Sequence, residues 1–279
     1  MLQEGVNAYL ASLSNKKSGE SNSNTIVAYK NDLHQLCAYL AQFSLEDWRQ
    51  VTREQINGYV LDMRDAQLYR PATIARKLAS LKAFFRYLSS VGALESNPLT
   101  DIDVPRIQQE PPQALCREQV IRLFRQISID TSVGQRDLAM LTLLYATGMR
   151  VSELVALNLN DLDITKSTIF CAGRSGKSHH NREVRLAQPV LESLQSYLHS
   201  ARQQYIQHHP DEPALFVNHH GERLTRQGFW LIVKGYARQA GIAAITPQML
   251  RHSFSMLIPQ NGAELPAMQE MLGIVRVAT

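Results

Sequence analysis

The sequence predicts a fold that is mainly α with a small β-sheet, arranged as an N-terminal helical domain and a C-terminal α+β domain. Over the first hundred residues or so, apolar side chains recur at the spacing of amphipathic helices. The tract from Pro105 to Pro112 contains few large apolar residues and interrupts helical structure, which is typical of a linker. Beyond it, two short β-type segments flank a glycine-containing turn, and this pattern predicts a hairpin.

The N-terminal half is predicted to contain three amphipathic helices. Thr25 can cap the first helix, Thr52 precedes the second, and Pro71 occupies the first turn of the third, which ends near Gly92. The apolar residues predicted to face inward are Ile26, Tyr29, Leu33, Leu36 and Leu40 in the first, Ile56, Tyr59, Val60 and Met63 in the second, and Ile74, Leu78, Leu81, Phe85 and Leu88 in the third.

We predict domains at residues 1–104 and 115–279, joined by a linker at roughly residues 104–114. The second domain should open with a helix at residues 117–127, followed by an apolar helix that ends before Arg150. The later predicted elements are strands at Ser167–Cys171 and Glu183–Leu186, a helix at Gln188–Gln207, a turn at His220-Gly221, and helices near Phe229–Ala240, Gln248–Leu257 and Leu265–Leu272.

Composition excludes several classes of protein. The chain has 279 residues, of which 44% are hydrophobic and 19% charged, and no apolar run reaches the ~20 residues of a membrane span. The N-terminus lacks the charged-then-apolar pattern of a signal peptide, so we expect a cytoplasmic location. The three cysteines (Cys37, Cys116 and Cys171) have no paired spacing, which predicts neither a disulfide framework nor a metal site.

Positive charge is concentrated in two stretches. The net charge is +4, and no acidic residue lies between Asp65 and Glu95. A second basic stretch, Lys166 to Arg185, contains a single acidic residue. One basic stretch in each half indicates two surfaces that face a polyanion, although a charge run is also compatible with a solvated face. The basic residues at the start of the third predicted helix and along it are expected mostly to lie off its apolar face. The residues predicted to bind DNA are Arg70, Arg76, Lys77, Lys82 and Arg86 from this first stretch, and Arg174 from the second.

The most informative segment runs from Thr147 to Leu157 and reads Thr-Gly-Met-Arg-Val-Ser-Glu-Leu-Val-Ala-Leu. An apolar run leads into the glycine turn, Arg150 follows, and Leu154, Leu157 and Leu159 predict a helix after it. An arginine held at the start of a helix can grip a phosphate with two parallel hydrogen bonds. The alternative interpretation is that Arg150 merely pairs with Glu153.

This segment resembles the first arginine box of the tyrosine recombinase (phage integrase) family, of the Xer type. The segment Thr246-Pro247-Gln248-Met249-Leu250-Arg251 resembles the second box, in which a histidine and an arginine three residues apart share one helix face. Gln248 occupies the histidine position, and it can donate a hydrogen bond but cannot exchange a proton. His252 lies one residue beyond Arg251 on the same predicted helix. It either takes over the role of the missing histidine or is a structural residue.

The resemblance implies a catalytic set of Arg150, Lys177, Arg251 and Gln248. Lys177 would be the hairpin lysine that protonates the leaving 5′ oxygen, with Arg174 as the competing alignment and plain phosphate contact as the other possibility for both. The family cleaves and rejoins DNA through a 3′-phosphotyrosine, and its two arginines stabilise charge on the non-bridging oxygens. It uses no cofactor. Duplex DNA is the implied partner, held by a helical core-binding (SAM-like) domain and a catalytic domain that form a C-shaped clamp, with tetramers assembled on two sites.

Departures from the family pattern lie near the end of the chain. Ile274 stands at a further family histidine position, and the nucleophilic tyrosine would follow after residue 279. None of the ten tyrosines lies downstream of Arg251, so the chain as written is expected to bind DNA without cleaving it. The family's C-terminal docking helix would also fall beyond residue 279, which leaves tetramer formation open.

Several hypotheses therefore remain. The first is a site-specific recombinase represented by a shortened or altered sequence, and the second is a catalytically decayed paralogue that only binds DNA. A type IB topoisomerase shares the arginine pair, but the compact N-terminal helical domain argues against it. A basic helical transcription regulator would have no reason to pair Arg150 with Arg251.

Overall fold

The computed structural model of the chain describes residues 2–15, 23–65, 69–95, 97–100, 114–172, 181–246 and 249–253. The chain forms two compact units, Met1–Glu110 and Pro111–Thr279. Over these ranges the fold is mainly helical with one small β-sheet, as the sequence predicts. None of the helices in the described ranges is both long enough and apolar enough to cross a lipid bilayer.

Within the residues that the structure describes, the first unit contains four α-helices: α1 (Leu2–Asn15), α2 (Ser23–Leu40), α3 (Arg53–Asp65) and α4 (Pro71–Ser90). The predicted inward residues of α3 and α4 are buried, as are Leu33, Leu36 and Leu40 of α2, whereas Ile26 and Tyr29 are partly buried. The predicted stop of α4 is confirmed, since Gly92 follows it with a φ of +72°. Helix α1 was not predicted.

Two predictions for this unit are wrong. Helix α2 begins at Ser23, so Thr25 lies within its first turn and not at the predicted capping position. Lys77 was expected to remain open to phosphates, but it is buried on the inward face of α4, where its Nζ lies 3.1 Å from Oδ1 of Asp32. The acidic partner on α2 makes this burial possible, because a buried ammonium needs a compensating charge.

In the second unit, helices surround α6. The helices are α5 (Arg117–Phe124), α6 (Ser132–Thr147), α7 (Val151–Leu154), α8 (Gln188–Ser196), α9 (Arg202–Tyr205) and α10 (Arg226–Gln239), and residues 249–253 are also helical. Nearly every residue of α6 from Gly134 to Tyr145 is buried, so this helix is the centre of the core. The predicted long helix at Gln188–Gln207 forms α8 and α9, joined by the π-helical segment Tyr197–Ala201.

In the described part of the second unit, the sheet has three antiparallel strands in the order β1-β2-β3: β1 (Leu162–Asp163), β2 (Thr168–Cys171) and β3 (Arg182–Arg185). The predicted hairpin of β2 and β3 is confirmed, with strand bounds shifted by one residue. Thr168 pairs with Arg185, and Cys171 pairs with Arg182. Strand β1 was not predicted, because a strand of two residues is too short for an alternating pattern to identify it.

The helix predicted after Arg150 is wrong in length, because α7 makes only a single turn. The carbonyl groups that a longer helix would use accept hydrogen bonds from elsewhere in the unit. Leu215 donates its backbone N–H to the carbonyl of Leu157 at 2.9 Å, and Arg223 donates to the carbonyls of Val155 and Leu157 at 3.0 Å. These tertiary hydrogen bonds end the helix after one turn.

Candidate phosphate-binding site

Arg150 is positioned by the end of α6. Gly148 takes a left-handed conformation with φ +56°, and its N–H donates to the carbonyl of Leu144 at 2.9 Å, which closes the helix. Met149 is buried in the core, and Arg150 then occupies the N-cap position of α7. A tight turn and a buried neighbour therefore fix the backbone from which the Arg150 guanidinium extends.

Glu153 is the buried anion around which the site is built. Its side chain is only 2% exposed. Its carboxylate accepts hydrogen bonds from the backbone N–H of Arg150 at 2.7 Å, from Nη1 of Arg150 at 3.0 Å and from Nη2 of Arg182 at 3.3 Å. The Arg150–Glu153 pairing considered from the sequence is thus present. It does not bury the arginine, whose side chain remains 46% exposed.

These contacts keep Glu153 ionised. Burial alone would raise the pKa of the Glu153 carboxyl, since it disfavours the charged form. The hydrogen bond from the Arg150 backbone, the positive charge of Arg182 and the two guanidinium hydrogen bonds outweigh burial, so the pKa of Glu153 is lowered overall. The site therefore contains a fixed negative charge that attracts guanidinium groups.

Arg251 lies on the helical segment of residues 249–253 and is within electrostatic range of Arg150, Arg182 and Glu153. Thr246 Oγ1 accepts from the backbone N–H of Met249 at 3.1 Å, which caps the start of this segment. Leu250 is fully buried, and Ser253 Oγ accepts from the backbone N–H of Leu115 at 2.6 Å. The cap, the apolar anchor and the link to Leu115 hold the segment against the beginning of the second unit.

The three arginines act electrostatically on one another. The pKa of Arg251 is lowered, first by burial and then by the positive charges of Arg150 and Arg182, while the charge of Glu153 acts in the opposite direction. Two guanidinium groups hydrogen-bonded to one carboxylate, with a third within range of their charges, leave an excess of two positive charges. A half-exposed cluster of this kind is a binding site for an anion with several oxygen atoms, such as a phosphate.

The structure brings two of the four predicted catalytic residues together, Arg150 and Arg251. Lys177, Arg174, Gln248 and Ile274 lie outside the described residues. His252 is half-buried on the helical segment of residues 249–253. The remaining predicted DNA-binding residues lie on α4 of the first unit, where Arg70, Arg76 and Arg86 are exposed, Lys82 is partly buried and Lys77 is buried.

Arg182 was not predicted from the sequence to be a member of this site. The prediction started the second strand at Glu183, which left Arg182 in the preceding turn. In the structure, Arg182 is the first residue of β3 and pairs with Cys171. Side chains alternate between the two faces of a strand, and because Glu183 is exposed, the Arg182 side chain lies on the opposite, inner face. The period of two along Arg182–Arg185, counted back by one residue, was the signal that could have identified it.

A two-unit helical fold with a cluster of arginines on a buried glutamate suits a protein that binds phosphate groups of nucleic acid. Family models identify it further. Residues 113–279 match the Phage integrase family, and residues 6–92 match the phage integrase N-terminal SAM-like domain. The chain belongs to the phage integrase family, the tyrosine recombinases.

Curated relatives of the chain align with most or all of its length. It is 40% identical over 281 residues to the tyrosine recombinase XerC of Roseiflexus sp., an alignment that covers 100% of this chain and 88% of the relative. It is 39% identical over 258 residues to the tyrosine recombinase XerD of Oceanobacillus iheyensis, covering 92% of this chain and 85% of the relative. The predicted Xer-type resemblance is confirmed.

Solved structures share the fold at low sequence identity. A Tn1549 transposon integrase in complex with transposon right end DNA matches with a TM-score of 0.72 and 21% identity, over 100% of this chain and 93% of that one. A lambda integrase dimer bound to a core site matches with a TM-score of 0.70 and 13% identity, over 99% and 94% of the two chains. The predicted fold class, a SAM-like domain followed by a catalytic domain, is confirmed.

The lowered pKa of Glu153 predicts a pH dependence of stability. A carboxyl with a depressed folded pKa contributes stability above its ordinary value of 4.5, and this contribution is lost as the pH falls through the lower folded value. We expect the free energy of unfolding of the native protein to fall more steeply below about pH 4.5 than that of Glu153→Gln. Urea unfolding from pH 3 to pH 7 measures both, and parallel curves would contradict the assignment.

Proposed function

We propose that this chain is a site-specific DNA recombinase of the tyrosine type, which cleaves and rejoins strands of duplex DNA through a 3′-phosphotyrosine. The observation that carries the proposal is that Arg150 and Arg182 both donate hydrogen bonds to buried Glu153, while the charges of all three residues act on Arg251. The relatives at about 40% identity are named tyrosine recombinases, and this supports the reaction class.

The arginine cluster suits the chemistry of such a reaction. A tyrosine hydroxyl attacks the phosphorus, a P–O bond to tyrosine forms, and the bond from phosphorus to the 5′ oxygen breaks. Negative charge increases on the non-bridging oxygens in the transition state, and guanidinium groups already fixed in place stabilise it without reorganising. Arg150 and Arg251 are the proposed ligands of this phosphate. Glu153 is the proposed residue that holds them in position.

Lys177 and Gln248 complete the proposed site. Lys177 would give a proton to the leaving 5′ oxygen, with Arg174 as the alternative for that position. Gln248 would donate a hydrogen bond to a phosphate oxygen, because an amide cannot take up or release a proton near neutral pH. The chemistry proposed here requires no cofactor.

Each unit is proposed to contribute a DNA-binding surface. In the first unit, the exposed or partly exposed basic residues of α4 and its start are the proposed phosphate contacts: Arg70, Arg76, Lys82 and Arg86. Buried Lys77 is not among them. We propose functional domains of residues 1–104 and 115–279, a cytoplasmic site of action, and assembly of several copies on DNA.

Binding of duplex DNA should depend strongly on salt, because each neutralised phosphate releases counterions and adds about 0.9 to the slope of log K against log salt. Arg150→Ala and Arg251→Ala should each weaken binding by about tenfold, since each loses charge-assisted hydrogen bonds to a phosphate. Fluorescence anisotropy at several salt concentrations measures both effects. Exposed Arg122 on α5 provides a matched control, Arg122→Ala, which should have less effect. A flat salt response would contradict the proposal.

A catalytically decayed paralogue that binds DNA without cleaving it is the second candidate. The observation that favours it is the presence of Gln248 and Ile274 at two family histidine positions. The described tyrosines of the second unit also offer little support for a nucleophile. Tyr236 donates its hydroxyl to Asp137 at 2.9 Å, and burial raises the pKa of Tyr197 to about 12.

A suicide substrate, in which the cleaved strand cannot be rejoined, separates the candidates. We expect the polypeptide of residues 1–279 to bind this DNA without forming a covalent adduct, and Gln248→His alone not to change that result, because all ten tyrosines precede Arg251. Denaturing electrophoresis with labelled DNA detects the adduct. An adduct formed by these residues would refute the expectation, and its disappearance in Arg150→Ala would assign the cleavage to the proposed site.

A further inference from the structure

A second half-exposed arginine on a buried carboxylate occurs in the first unit. Asp32 of α2 is 1% exposed. Its carboxylate accepts two hydrogen bonds from Arg76 of α4, with Nη2 to Oδ1 at 2.9 Å and Nη1 to Oδ2 at 2.5 Å. This is a bidentate pair, which fixes the plane of the guanidinium as well as its position.

The charge of Asp32 already has a buried partner. Lys77 lies beside Arg76 on α4, is 3% exposed, and places its Nζ 3.1 Å from Oδ1 of Asp32. The same ammonium donates to Oε1 of Gln35 and lies 4.9 Å from the centre of the Tyr69 ring. Lys77 therefore compensates the buried carboxylate, and the charge of Arg76 is in excess at the surface.

The pair resembles the arginine–glutamate pair of the second unit in its exposure. The side chains of Arg76 and Asp32 are 46% and 2% exposed, and those of Arg150 and Glu153 are also 46% and 2% exposed. In both pairs, the carboxylate is enclosed and the arginine reaches the solvent. A guanidinium has five N–H groups, so two bonds to the carboxylate leave three that can point outward.

The surroundings of Arg76 are suited to a close approach by a polyanion. Arg76 and Arg86 lie on one exposed face of α4, together with Ala72 and Ala79. The small alanine side chains add little bulk beside the two arginines. On this face of α4, a phosphate that approaches Arg76 passes these small side chains.

We propose that Asp32 is a positioning residue, which holds the guanidinium of Arg76 at the surface of α4 as a preorganised phosphate-binding group. The proposal rests on the proposed function, because it takes duplex DNA as the source of the phosphate. Without Asp32, Arg76 would be a long, mobile side chain on an exposed helix face. Its conformational entropy would then be lost on binding, and this loss would weaken each phosphate contact. The buried carboxylate orders it before DNA arrives.

The test is a double-mutant cycle in a background that remains folded. Asp32→Asn alone would leave the Lys77 ammonium buried without its charge partner, so the cycle is made in Lys77→Met, which removes that charge. Lys77→Met is the reference of the cycle, in which Asp32 keeps Arg76 as its partner, and every affinity is compared with that of this reference. Asp32→Asn, Arg76→Gln and their combination are then compared by fluorescence anisotropy over a range of salt concentrations, with thermal unfolding as the check on folding.

Arg76→Gln should lower the affinity by about tenfold and reduce the salt slope by about 0.9, the value for one phosphate. Asp32→Asn should lower both in the same direction, although it removes a negative charge from a protein that binds a polyanion. In the combined variant Asp32→Asn should have no further effect, because Asp32 acts through Arg76. Asp62→Asn, at an exposed position on α3, is the matched control for the change in charge and should bind equally well or slightly more tightly.

An unchanged or higher affinity of Asp32→Asn, like that of the Asp62 control, would overturn the proposal. The proposal would also be overturned if Asp32→Asn lowered the affinity for duplex DNA equally in the presence and in the absence of Arg76. Both results assume that the native protein binds DNA with a steep salt dependence. A native protein without that dependence would overturn the proposed function as well, so the two failures are distinguishable.

Discussion

The carboxylate of Glu153 is the interaction on which the candidate site depends. Two arginines donate hydrogen bonds to it and the third lies within its electrostatic influence, although they come from the N-cap of α7, from β3 and from the helical segment of residues 249–253. Without a buried anion, three guanidinium groups would repel one another and turn toward solvent. With it, the cluster keeps an excess of positive charge in a fixed geometry, which is what an incoming phosphate requires.

Buried acids recur as a means of holding basic side chains in this protein. In the first unit, Asp32 binds Arg76 and Lys77, and in the second, Glu153 binds Arg150 and Arg182. The stability of such a carboxylate depends on its partners, because removing one partner of a buried charge pair costs several kcal/mol, roughly 3–5. The same groups are thus important both for folding and for the electrostatics of the proposed DNA-binding surfaces.

The local sequence pattern predicted those features that neighbouring residues determine. It did not predict the features that depend on a residue distant in the sequence. The inward face of α4 followed from periodicity, and the end of α6 followed from the glycine at position 148. The same periodicity places position 77 beside Ile74 and Leu81 on the inward face, but the burial of a lysine there depends on Asp32 of another helix. The single turn of α7 depends on hydrogen bonds from Leu215 and Arg223, which no local signal reveals.

The central claim is that Arg150 and Arg251 address one phosphate. A crystal structure of the protein bound to a short duplex tests it most directly. The account predicts that both guanidinium groups donate hydrogen bonds to oxygens of the same phosphate, while Glu153 still accepts from Arg150. Two arginines bound to different phosphates, or turned away from the DNA altogether, would contradict the account.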